Sequence, residues 1–163
     1  MQLNGQHEFN AAPPVVWAVL HDPEAIARAL PGVQLLEAIE GEANAFRAQA
    51  RLQVAAIGGS YRGELRLSEL DRPRSYRMKV QGEGQNSRFH GDVSVQLSEM
   101  AAVSQTAGSQ TTGTRLEWQA DAQVSGLLAR VGQRLIKATA QMMSKRFFAA
   151  LGEELPQRNL NSP

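Results

Sequence analysis

Ser60-Tyr61-Arg62-Gly63-Glu64-Leu65-Arg66-Leu67 and Arg115-Leu116-Glu117-Trp118-Gln119-Ala120-Asp121-Ala122 alternate strictly, apolar or small against charged or amide. The pattern recurs from Asn44 to Val124. One set of positions reads Phe46, Ala48, Ala50, Leu52 and Val54; Tyr61, Gly63, Leu65 and Leu67; Tyr76, Met78 and Val80; Phe89, Val93, Val95 and Leu97; Leu116, Trp118, Ala120 and Ala122. The other set holds Arg47, Arg51, Arg62, Glu64, Arg66, Arg77, Lys79, Arg88, His90, Asp92, Arg115, Glu117 and Asp121. A period of two marks strands with one wet face and one buried face. The acids and bases fall on the wet set. The buried face is therefore expected to hold something apolar rather than to perform acid–base chemistry.

Working outward from this stretch, strands are expected at about 43–54, 60–70, 74–83, 88–98 and 112–124, punctuated by Gly58-Gly59, Asp71-Arg72-Pro73, Gly84-Gln85-Asn86 and the polar run Ser104 to Gly113. Gln2 to Phe9 reads as a first strand and Val33 to Ile39 as a second. Between them Pro13-Pro14 opens a short helix ending near Leu20, with Val16, Trp17 and Leu20 on its apolar side. Asp22-Pro23 restarts a second helix, which Leu30-Pro31-Gly32 ends. Gly126 introduces one long helix, Leu127 to about Leu155, and Pro156 to Pro163 reads as a disordered tail. Short links between successive strands favour an antiparallel meander. Only the terminal helix is large enough to cover the apolar face. The fold class is α+β: a curved seven-stranded antiparallel sheet around a long C-terminal helix, with one domain over 1–155.

Composition narrows the function. A net charge of +1 lacks the basic excess of a general nucleic-acid binder. The absence of cysteine excludes disulfides, thiol nucleophiles and cysteine–metal sites. His7, His21 and His90 make no metal-ligand pattern, and no metal or cofactor is expected. No phosphate loop or Gly-x-Ser-x-Gly elbow occurs, and Gly82-Glu83-Gly84 precedes a strand rather than a helix. Glu69 falls on the inward parity near a strand end, and is the one carboxylate to test for acid–base work. No signal peptide and no apolar run of about 20 residues is visible, so the expected compartment is the cytoplasm.

Read as one helix, the terminal segment sets Leu128, Val131, Leu135, Ala138, Thr139, Met142 and Ala149 on one face, widened by Ile136, Met143 and Phe147. Gly132 lies within that face, either to leave room for a ligand or to pack closely on a bulky residue such as Trp118. Met142 and Met143 suit an adaptable ligand surface or ordinary core filling. Arg130, Arg134, Lys137 and Lys145 form a cationic stripe, which either contacts anionic lipid or an acidic partner or is a solvated face. In a meander alternate turns share an end, so Leu30-Pro31-Gly32, Gly58-Gly59, Gly84 to Ser87 and Gly126 are expected at one rim, the candidate mouth. The residues expected to touch a ligand are Pro31, Phe46, Tyr61, Leu65, Met78, Val80, Phe89, Trp118, Val131, Leu135 and Met142.

Several segments resemble the carbon monoxide dehydrogenase G-subunit family, part of the START-like (SRPBCC) helix-grip superfamily. They are Ala12-Pro13-Pro14-Val15-Val16-Trp17 with Asp22-Pro23-Glu24, Leu30-Pro31-Gly32-Val33, Gly59-Ser60-Tyr61-Arg62-Gly63, Gly82-Glu83-Gly84 with His90-Gly91, Gly113-Thr114-Arg115-Leu116, and above all Val124-Ser125-Gly126-Leu127-Leu128-Ala129-Arg130-Val131-Gly132-Gln133-Arg134-Leu135-Ile136. In order and spacing they span nearly the whole chain. The resemblance implies a hydrophobic cavity between sheet and helix. It also implies an accessory role beside a molybdenum hydroxylase of the carbon monoxide dehydrogenase type, with a bound quinone or lipid and peripheral contact with the inner face of the membrane. Longer members carry a C-terminal extension suited to membrane binding, where this chain has Pro156 to Pro163. Asn86-Ser87-Arg88-Phe89 replaces a glycine-richer family turn, which is expected to narrow or reshape the mouth. Three readings follow: a non-enzymatic carrier of an apolar molecule, favoured by the uncharged inward face; a START-like cyclase or hydrolase; and a protein–protein adaptor whose cavity is filled core.

Overall fold

A computed structural model of the chain describes residues 1–54, 57–102 and 111–160. The expected polar loop at Ser104 and the tail residues 161–163 lie outside them. The strands are β1 (Gln2–Phe9), β2 (Val33–Ala38), β3 (Ala45–Leu52), β4 (Gly59–Asp71), β5 (Ser75–Gly84), β6 (Ser87–Ala102) and β7 (Thr111–Gly126). They form one 7-stranded sheet in the order β1-β7-β6-β5-β4-β3-β2, and every neighbouring pair is antiparallel. Between β1 and β2 run helices α1 (Pro13–Leu20) and α2 (Pro23–Ala29). The Asp22 carboxylate accepts the Glu24 N–H at 3.1 Å and caps α2.

Register carries the alternation across the sheet. Phe46 pairs with Leu65 and Leu65 with Val80; Met78 pairs with both Leu67 and Val93; Val95 pairs with both Tyr76 and Trp118. A whole row of inward side chains therefore lines up. The alternation fails at Glu69, where β4 bulges and φ is 51°. The Glu69 carboxylate turns outward and pairs with Arg77 Nε at 3.3 Å.

One buried cluster ties β1 and α1 to the sheet and to α3. It holds Phe9, Val16, Trp17, Leu20, Tyr76, Leu97, Leu116, Phe148, Leu151 and Leu155. Full burial of each large aliphatic among them contributes roughly 1.5–3 kcal/mol. The Thr114 hydroxyl, fully buried, donates to the Ala11 carbonyl at 2.6 Å and locks β7 to the corner between β1 and α1.

The C-terminal segment departs from the expected single helix. Leu127–Val131 is a 3-10 turn, and the long helix α3 runs from Gln133 to Leu160. Gly126 at φ 84° and Gly132 at φ 97° make the two joints, both in the region that favours glycine. No atom lies within 4 Å of where a Gly132 Cβ would sit. Gly132 thus neither leaves room for a ligand nor packs closely; it turns the backbone. The break also rotates the helix. Of the expected inward face only Thr139 is buried; Leu135 is 48% exposed, and Ala138 and Ala149 face solvent. The face that packs carries Phe148, Leu151 and Leu155, nearly opposite at 100° per residue. Phe148 decides the rotation, meeting Phe9 edge-on at 6.2 Å and His7 in a stack at 5.7 Å.

Candidate functional site

Between sheet and helices lies a cavity of about 300 Å³. The sheet supplies Leu36, Phe46, Leu65, Leu67, Tyr76, Met78, Val93, Val95 and Trp118. The corner of α1 and α2 supplies Leu20, His21, Pro23, Ile26 and Leu30, and α3 supplies Ser144, Phe147 and Phe148. No Asp, Glu, Lys or Arg is among these residues, as the parity of the strands requires. The volume stands at the lower end of the roughly 300–1,000 Å³ of ligand pockets. Trp118 can lie low because its strand partner is Gly5, where a Cβ would come within 2.6 Å of the indole Nε1. The Arg28 guanidinium clamps α2 to α3 through both oxygens of Glu154, at 2.9 and 3.2 Å.

Besides the Trp118 indole, three groups break the apolar lining. The Ser144 hydroxyl is satisfied, donating to the Ala140 carbonyl at 2.8 Å. His21 stacks on Trp17 with ring centres 4.3 Å apart, and its edge meets Tyr76 at 4.7 Å. Its Nδ1 lies 2.8 Å from the Trp17 carbonyl, while Nε2 is buried without a partner. Burial holds the His21 pKa below its ordinary value, opposed by that backbone bond and helped by nearby Arg72. Tyr76 is 7% exposed, and burial pushes its hydroxyl well above the ordinary phenol range.

Of the residues expected to touch a ligand, Phe46, Leu65, Met78 and Trp118 line this cavity. Val80 pairs with Leu65 at the cavity's edge. Phe89 and Tyr61 lie one and two inward positions further along and face each other at 6.2 Å, continuing the apolar floor. Pro31 adjoins the lining residue Leu30. Val131, Leu135 and Met142 do not reach the cavity, for they belong to the 3-10 turn and to the outward side of α3. The lining on α1 and α2 escaped the sequence reading. Its signal was Trp17 and His21 four residues apart, and likewise Ile26 and Leu30, spacings that put side chains on one helix face.

The glycine-rich turns do meet at one rim. A Cβ on Gly59 would collide with Gln85, and one on Gly126 with the Asn86 carbonyl; Gly32 lies against Arg51. The Leu128 N–H donates to the Ser87 hydroxyl at 2.7 Å and closes the 3-10 turn onto this rim. On the opposite face of the sheet a larger trough of about 600 Å³ runs among Arg47, Arg62, Glu64, Glu83 and Arg88. It is floored by solvated side chains, with Arg62 and Glu83 paired at 2.6 Å, and is a surface groove rather than an enclosure.

The family model for the G subunit of carbon monoxide dehydrogenase (CoxG) matches residues 5–156. The chain belongs to that family. Among solved structures, a conserved protein from Geobacillus kaustophilus is 24% identical with a TM-score of 0.85, covering 96% of each chain. A START superfamily protein from Mycobacterium smegmatis is 13% identical with a TM-score of 0.66, covering 96% of this chain and 97% of that one. A protein from Thermus thermophilus is 14% identical with a TM-score of 0.64, covering 97% and 99%. No curated protein matches the chain. These likenesses show the START-like helix-grip fold, and in this CoxG family member the grip encloses an apolar cavity suited to a hydrophobic ligand.

The cationic stripe of this family member has an unexpected neighbour. Arg130, Arg134 and Lys145 are exposed and Lys137 is half-buried, and none of them is ion-paired among the described residues. Beside them lie Leu127 and Leu135, each 48% exposed. No helix among the described residues is long and apolar enough to cross a membrane.

Proposed function

We propose that this protein is a non-catalytic carrier that holds a quinone-like or lipid-like molecule in the cavity between sheet and α3, as an accessory to a molybdenum hydroxylase of the carbon monoxide dehydrogenase type. One observation carries the reading: a 300 Å³ space walled by apolar side chains and free of any charged one. The cyclase or hydrolase alternative needs a titratable cluster inside, and Glu69 is tied to Arg77 outside the cavity. The filled-core adaptor alternative needs no void. Family membership supports the hydroxylase partnership. The mouth is proposed at the glycine-rich rim, where Tyr61 and Phe89 extend the apolar floor toward solvent.

The outward arc of α3 supports a peripheral contact with an anionic bilayer near that rim. Exposed Leu127 and Leu135 would enter the interface while Arg130, Arg134, Lys137 and Lys145 meet headgroups. On this reading the protein works in the cytoplasm, at the inner face of the membrane. The test is twofold. Titration with decylbenzoquinone should quench the fluorescence of Trp118, and organic extraction of freshly purified protein should release a lipophilic compound. Neither signal appearing refutes the carrier. The affinity for phosphatidylglycerol vesicles, read by co-sedimentation, should fall at least about thirtyfold in an Arg130→Glu, Arg134→Glu variant, taking roughly 1 kcal/mol for each of the two lost cations. Unchanged sedimentation removes the membrane contact and leaves the carrier standing.

A further inference from the structure

Glycine inside a strand weakens it, and is kept where the chain bulges, where another backbone crowds in, or where a ligand passes. At Gly5, Gly63, Gly82 and Gly84 a Cβ would collide with a neighbouring strand or ring, so packing alone explains them. Gly91, in the middle of β6, has no such reason. It pairs in unshifted register with Val80 on β5 and Ala122 on β7, and its φ is outside the region that favours glycine. The atoms nearest to a Cβ there all belong to β7: the Asp121 carbonyl oxygen at 3.5 Å and Ala122 at 3.9 Å. Parity puts the missing side chain on the cavity side of the sheet, two residues from the lining residue Val93. The Phe89 ring, next along the same face, lies over Gly82 on β5 instead. Val80, Phe89, Gly91 and Ala122 are all half-buried, although they belong to the covered face. The cavity itself is small. An apolar space of about 150 Å³ takes up benzene. At about 300 Å³ this one takes a substituted ring and a few chain atoms, and a longer chain has to leave.

We propose that Gly91 is the throat of the cavity, and that it selects a ligand made of a single-ring head and a long flexible chain. The ring sits in the enclosed space, and the chain leaves over Gly91 and Ala122 toward the glycine-rich rim. The inference rests on the carrier reading and specifies the shape of the molecule carried. From Gly91 to Ser87 at the rim the strand covers roughly 13 Å, a distance that a decyl chain spans. A head group without a chain leaves the throat empty and forgoes that burial.

The probes are decylbenzoquinone and ethylbenzoquinone, which share a head group and differ only in chain, with affinities read by tryptophan quenching. Each buried methylene contributes about fourfold. With half of the extra methylenes buried, the wild-type protein should favour the decyl compound at least about a hundredfold. Gly91→Leu puts a side chain into the throat, and Ala122→Leu narrows it from β7. In both variants the decyl preference should fall at least about tenfold, while ethyl affinity stays within about twofold of wild type. Gly91→Ala adds only a methyl group that nothing opposes, and should keep the preference and raise Tm. Equal wild-type affinities for the two compounds would overturn the throat and leave the carrier standing. A decyl preference that survives both leucine variants, or a loss of both compounds alike in them, would do the same, since the ring's seat lies beyond the throat. A lowered Tm in Gly91→Ala would mean that the space is already filled, and would also overturn it. Binding of neither compound by the wild-type protein would instead sink the carrier reading, and the throat with it.

Discussion

Ser144 is the one small side chain that α3 presents to the cavity, and replacing it with leucine tests whether the space is void. An unfilled apolar cavity forfeits about 24 cal/mol per Å³. At about 300 Å³ that is about 7 kcal/mol, comparable with the roughly 5–15 kcal/mol that separate a folded domain from its unfolded chain. Ser144→Leu buries an added aliphatic group, worth about 1.5–3 kcal/mol. Against this stand the lost bond to the Ala140 carbonyl, about 0.5–1 kcal/mol, and the ordering of the new side chain, of similar size. The net is a gain of about 1 kcal/mol, or a Tm rise of about 2–4 °C for a chain of this length. Because the leucine takes ligand space, affinity for decylbenzoquinone should fall at least tenfold. Thermal denaturation followed by circular dichroism reads the first effect and tryptophan quenching the second. A variant with lower Tm and undiminished affinity would refute the reasoning, since it would mean that ordered protein already fills the space and that the ligand sits elsewhere.

Gly132→Ala should destabilise the protein by about 1–3 kcal/mol although no atom opposes its Cβ, because φ 97° is a glycine conformation; chemical denaturation measures it, and a neutral result would show that the joint relaxes freely. The pH profile should slope through the histidine range. Burial lowers the folded-state pKa of His21 and of His7, so between those values and the unfolded value near 6.5 the unfolded chain binds more protons. Stability is therefore full above pH 6.5, declines as pH falls through the folded pKa values and then levels. His21→Phe should flatten part of the slope in urea titrations, and an unaltered slope would show that His21 does not contribute.

Strand parity made the sheet half of the cavity legible. Once Leu65 and Met78 share a face, register brings Phe46 and Val93 beside them, and no other reading of the alternation buries them together. The two short helices were legible from Pro13, Asp22 and Pro23. The helix half was not. Residues 127–155 contain two apolar arcs, one through Leu135, Ala138, Met142 and Ala149, the other through Phe147, Phe148, Leu151 and Leu155. Local periodicity cannot choose between them. The choice is tertiary: Phe148 finds Phe9 and His7 on β1, more than 130 residues away in sequence. Counting through Gly132 as if it were helical tied Leu128 and Val131 to the first arc and tipped the balance the wrong way. His21 was invisible for a related reason, since its place in the lining comes from its contacts with Trp17 and Tyr76, not from a motif.

The two arcs divide α3 along its length as well as around it. Its C-terminal half contributes Phe148, Leu151 and Leu155 to the core, and the Arg28–Glu154 pair ties it to α2. Its N-terminal half, with the 3-10 turn before it, contributes a single buried residue, Thr139, which bonds only to its own helix at the Leu135 carbonyl. Local opening costs what it exposes. Lifting the N-terminal half away from the sheet therefore costs far less than releasing the C-terminal half, and the glycine at 132 supplies the joint. The part of the helix that opens most cheaply is the part next to the 3-10 turn, whose Leu128 N–H bonds Ser87 at the glycine rim, and turn and helix together carry the exposed leucines and cations. A cavity sealed at the packed end and loosely covered at the other can admit a ligand without disturbing the core that holds the fold.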